Sequence, residues 1–118
     1  MELQWYKCRG GVWCELNKID LSSNALKELT GVYILWTGQI SSKRTIIKVG
    51  SGKITDELLK NKRDLAMMAF FHLGLYVTWA EVPALKRRNV QYYLTSVLQP
   101  KFEEKVPDLN PIQVNLPW

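Results

Sequence analysis

The sequence predicts a small α/β (α+β) domain in which a central, mainly antiparallel three-stranded sheet is flanked by helices and preceded by an N-terminal aromatic arm. Two observations carry this reading. Three runs rich in β-branched and aromatic residues, 31–36, 45–49 and 75–82, are each bounded by turn formers or proline. Between the second and third lies a helix start with an acidic first turn, and after the third a segment whose apolar residues recur at helical spacing. The 118 residues suit one domain, 1–118, with a core over about 31–101, an arm over 1–30 and a Pro-rich tail over 102–118.

In the arm, Trp5, Tyr6 and Trp13 surround Gly10-Gly11, which predicts a hairpin or an irregular turn lying on the core. Ser22 or Ser23 is placed to cap a short helical turn through Leu29. The first strand follows at Gly31-Val32-Tyr33-Ile34-Leu35-Trp36, and a polar connection over 37–44 leads to Thr45-Ile46-Ile47-Lys48-Val49. Alternation puts Val32, Ile34 and Trp36 on one face and Tyr33 and Leu35 on the other. The same rule separates Ile47 and Val49 from Ile46 and Lys48, with Tyr33 and Lys48 able to share a face.

Gly50-Ser51-Gly52 is expected to break the strand, and Thr55 to cap a helix whose first turn holds Asp56 and Glu57 at the positive end of its dipole. That helix should run into 60–63. The apolar stretch 65–73 predicts buried helix ended by Gly74. The third strand stops at Pro83. Lys86-Arg87-Arg88 then opens a helix with Val90, Tyr93, Leu94, Val97 and Leu98 on one face, ended by Pro100. The tail carries Pro107, Pro111 and Pro117, too many for regular structure, with enough apolar residues to lie along the core.

Sixteen Lys and Arg against eleven Asp and Glu give a net charge of +5, which biases the chain toward polyanions. The longest apolar stretches fall short of the roughly 20 residues of a membrane helix, and the N-terminus has no signal-peptide core, so a cytoplasmic location is expected. Two cysteines and one histidine are too few for a closed zinc site. In a reducing cytosol Cys8 and Cys14 are expected as free, partly buried thiols. Gly50-Ser51-Gly52 lacks the third glycine of a dinucleotide-binding loop, and His72, set in an apolar run, reads as a core histidine.

The order hairpin, helix, strand, helix, with Gly31-Val32-Tyr33 opening the first strand and Lys48-Val49-Gly50 closing the second, resembles the GIY-YIG nuclease family, in particular its small stand-alone bacterial members. The Gly-Ser-Gly turn, the strand 76–82, the amphipathic helix ending at Pro100 and the Val-Asn-Leu-Pro-Trp ending extend the likeness. The resemblance implies phosphodiester hydrolysis with one divalent metal, magnesium or manganese. It implies a tyrosine that positions or deprotonates water, an arginine that stabilises the phosphate, and a glutamate that holds the metal.

Residue by residue, the set is degenerate. Tyr33 matches the first tyrosine, but Lys48 replaces the second and cannot supply a phenol's donor and acceptor. The arginine falls on Glu57 and Leu58, with Arg63 nearly two turns later. The metal glutamate falls on Gln91, an uncharged amide where hard cations favour carboxylates. Three functions stand open. The first is a catalytically impaired GIY-YIG-like domain that binds DNA or a protein partner through the former active-site face, with Lys48, Lys53, Arg63, Lys86, Arg87 and Arg88 as phosphate contacts and Tyr33 available to stack. The second is a weak metal-dependent endonuclease using Tyr33, Lys48 and Gln91. The third is a structural or protein-interaction module whose aromatic arm covers a neighbour.

Overall fold

A computed structural model describes residues 1–38, 43–104 and 109–118. Part of the expected polar connection, and the part of the tail that holds Pro107, lie outside the described residues.

The sheet has four antiparallel strands in the order β1-β4-β2-β3: β1 Cys14–Glu15, β2 Thr30–Thr37, β3 Thr45–Lys53 and β4 Leu75–Glu81. Three were expected; the fourth, β1, is two residues long, too short to show periodicity. The helices are α1 Ile54–Lys62, α2 Leu65–Met68 and α3 Arg87–Leu98. Strand β2 is central, and its residues 31–36 are all buried because both faces of the sheet are covered. On one side Tyr33 and Leu35 join Ile54, Leu58 and Met67. On the other, Val32, Ile34 and Trp36 pack against Val90 and Leu94 of α3 and Val114 of the tail.

The β2 alternation is as expected, and β3 departs from it at one point. Leu35 pairs with Lys48 but Trp36 with Ile46, so Ile47 is an extra residue in a bulge. Ile46 therefore goes with the Val49 side, and Ile47 with the Tyr33 side. Gly50-Ser51-Gly52 does not break the strand: Gly50, Ser51 and Gly52 pair with Tyr33, Val32 and Gly31, and β3 continues to Lys53. The helix cap expected at Thr55 falls on Lys53, whose side chain makes no capping bond, and the Ile54 amide donates to the Leu29 carbonyl instead.

The stretch 65–73 is largely exposed rather than buried. Only a four-residue helix and a 3-10 turn, Phe71–Leu73, form there, and Leu65 is 80% exposed while Met67 alone is fully inserted. Asp64 caps α2 by accepting from the Ala66 amide, and Gly74 ends the segment in a left-handed conformation. His72 is exposed, not core. On α3 the expected face holds except that Val97 is outside and Gln91 is fully buried. Gln99, at φ 49°, closes the helix before Pro100.

The arm is an irregular turn, not a hairpin. Cys8 and Cys14 are bridged by a disulfide around a 3-10 turn at Arg9–Gly11, which overturns the expectation of free thiols. Their backbones approach because Gly10 and Gly11 both take positive φ, and the Cys8 amide donates to Val12. The arm then lies on β4, with the Tyr6 amide bonded to Trp79 and the rings of Tyr6 and Trp79 stacked. The expected turn through Leu29 shrinks to a 3-10 turn at Asn24–Leu26. Across the chain, Asn115 of the tail pairs through its amide with the backbone of Leu3. Among the described residues no helix is long and apolar enough to cross a membrane.

Candidate functional site

A buried polar network grows from Tyr33 on the α1 side of the sheet. Its ring lies over Gly50 of the neighbouring strand, where a Cβ would stand 2.2 Å from the hydroxyl oxygen. The glycine is required by this close approach, not by turn geometry. The hydroxyl donates to Glu57 Oε1 at 3.1 Å and accepts from Asn61 Nδ2 at 2.9 Å. Asn61 is fully buried one turn beyond Glu57 on the same helix face; its Nδ2 also donates to the Glu57 carbonyl, and its Oδ1 accepts from Lys48 Nζ at 2.9 Å. Tyr33 and Lys48 thus share a face and meet through a single amide.

Burial, then the charges of Glu57 and Glu104, push the Tyr33 hydroxyl well above the ordinary tyrosine range. It stays protonated near neutrality, as a donor and acceptor with both roles filled.

A second cluster lies behind β3. Gln91 reaches from α3 to the strand, where its Oε1 accepts from Ser51 Oγ at 2.5 Å. Its Nε2 donates to Glu104 at 2.9 Å and leans toward the Val49 carbonyl at 3.5 Å. This donor set does not fit the magnesium or manganese that the family resemblance implies. The amide oxygen is engaged by a hydroxyl, and the nearby carboxylate is held by the amide nitrogen. Among the described residues no three His, Cys, Asp or Glu stand together to hold a metal.

Where the resemblance expects the arginine, Glu57 turns inward to Tyr33 and Leu58 is buried core. Arg63 caps the C-terminus of α1 and is exposed, two residues beyond Asn61. The basic residues gather elsewhere. Gln91 lies beside Ser51, while Lys101, just past α3, donates its amide to Ile46. Helix α3 therefore runs antiparallel to β3, which sets Lys86, Arg87 and Arg88 at the same end of the sheet as Lys53. Lys53 also lines a cavity of about 350 Å³ with Lys27, Thr55, Ser22, Ser23 and Asn24.

Sequence reasoning missed Asn61 and Glu104. Asn61 carried a readable signal: an amide on the inward stripe set by Ile54 and Leu58, where an apolar residue is the default. Glu104 carried none, since its position depends on a tail without periodicity. Comparison of the chain with family models, curated proteins and solved structures finds no match in any of the three.

Proposed function

We propose that this is a noncatalytic GIY-YIG-like domain that binds nucleic acid through the face around Tyr33 and β3. The observation that carries the reading is that Lys53 at the end of β3 and the start of α3, with Lys86, Arg87 and Arg88, lie at the same end of the sheet, which bears the Tyr33 network on one face and Gln91 on the other. The replacements touch separate roles: a lysine, Lys48, at the second tyrosine position, an amide at the metal position, and a carboxylate with a leucine at the arginine position, while the retained Tyr33 is held protonated. Phosphate contact needs only cations and polar donors on a rigid frame, which remain. A cytoplasmic site of action belongs to the same proposal and requires that the Cys8–Cys14 bridge be open there.

The test is binding of single-stranded and duplex DNA across a salt series, with magnesium or manganese present and absent, beside a Lys53→Ala, Arg88→Ala double variant. Affinity should fall steeply with salt, and the double variant should show weaker binding and a slope reduced by about two. Cleavage lost in Tyr33→Phe would replace this reading with the weak endonuclease. Absence of binding, with a native mass above the monomer, would replace it with the structural or interaction module.

A further inference from the structure

Strand β3 is the edge of the sheet, and its outer side is not open. After α3 the chain doubles back along it: the Lys101 amide donates to Ile46 O at 3.0 Å, the Phe102 amide donates to Ile47 O at 2.9 Å, and Phe102 forms a parallel bridge with Lys48. The Phe102 ring meets Phe70 edge-on at 6.1 Å. The described part of this strap reaches Glu104, whose carboxylate accepts from Gln91 Nε2 and lies close enough for its charge to act on the Tyr33 hydroxyl.

Gln91 is fully buried, and its amide is oriented by partners that can only accept: Nε2 faces the Val49 carbonyl and the Glu104 carboxylate, which leaves Oε1 to accept from the Ser51 hydroxyl. The oxygen is turned in and the N–H out, toward the edge of β3. A locked, buried amide donor is a subsite for an anionic oxygen. Glu104 fills it, yet the residue itself is exposed and its strap is held by two described backbone bonds and one ring contact.

We infer that the Gln91 amide is a docking point for a phosphodiester oxygen, and that Glu104 is its tethered competitor, which a nucleic-acid strand must displace to lie along β3. This rests on the nucleic-acid reading above and adds to it a regulated subsite. A tethered group competes at its effective concentration, of millimolar order for a short tether, so it masks weak ligands and yields to a strand making several phosphate contacts at once.

The experiment measures affinity for a single-stranded oligonucleotide at fixed salt for wild type, Glu104→Gln, Glu103→Gln and Gln91→Leu, with amide exchange followed at Phe102. Glu104→Gln should tighten binding roughly tenfold, because it removes a like charge from the phosphate path while keeping the side chain's shape. Glu103→Gln, an equal change of net charge one residue away that leaves the Gln91 contact in place, should tighten binding clearly less than Glu104→Gln does. Gln91→Leu should weaken it, and oligonucleotide should speed Phe102 exchange. Equal affinity for Glu104→Gln and Glu103→Gln, with Phe102 exchange unchanged on binding, overturns the competitor while leaving the nucleic-acid reading in place. Absence of binding by every variant overturns both.

Discussion

The two faces of the sheet combine apolar and polar groups differently. The α3 face is mainly apolar: Val32, Ile34, Trp36, Val49, Ala80, Val90 and Leu94 interlock, with the tail and the tryptophans of the arm closing the outside and the buried Gln91, bonded to Ser51, as a polar insertion. Trp36 is its centre, touched edge-on by Trp13 and Trp118, with the Arg44 guanidinium 3.8 Å above the Trp118 ring. The α1 face has an apolar floor too, but it also admits Tyr33, Asn61 and the Lys48 ammonium as a hydrogen-bonded set. Buried polar groups are tolerated when paired and add little net stability. Each face thus carries an apolar cluster and a polar network, the network of the α1 face centred on Tyr33 and Asn61 and that of the α3 face on Gln91.

This contrast can be broken by measurement. The largest effect belongs to Trp36→Ala, which empties the middle of the α3 face and should cost about 3–5 kcal/mol in denaturant unfolding. A cost below that of a typical surface change would show that the arm and tail, not the strand face, carry stability. On the α1 face, Tyr33→Phe should cost about 1 kcal/mol at neutral pH, the worth of its hydroxyl's bonds. Its signature is in alkali. The folded Tyr33 keeps its proton where the unfolded chain loses it, so the wild type is unaffected by this group below about pH 10 and loses stability as pH rises beyond it. Tyr33→Phe should remove that part of the decline, and an unchanged alkaline slope would deny the burial. The smallest effect is Leu65→Lys, expected within about 0.5 kcal/mol of wild type despite its apolar sequence context. A larger loss would mean the 65–73 segment is covered in solution.

Much of this was legible in the chain. The strands came from β-branched and aromatic runs, α1 from its acidic first turn, and α3 from its period, while alternation allowed Tyr33 and Lys48 to share a face only for the right register and did not show that Asn61 joins them. What failed had physical causes. The segment 65–73 is apolar, but its helix stops after the single turn Leu65–Met68 and gives way to a 3-10 turn, and that one α-helical turn buries only Met67. The glycines at 50 and 52 read as a break because a missing side chain looks the same whether the chain turns or a neighbour's ring fills the space. The disulfide contradicted an inference drawn from compartment, which is not a property of the residues. Glu104 arrives through a strap whose path is fixed by sheet-edge pairing, and edge pairing leaves no mark in the residues that provide it.

The shelf under Tyr33 has a consequence for how variation in this chain should be interpreted. Because the ring occupies the volume that any side chain at position 50 would need, the two positions act as one locus. A change at 50 silences the tyrosine without altering its letter, so loss of function there would masquerade as a turn defect. The genotype at 33 is informative only when 50 is still glycine.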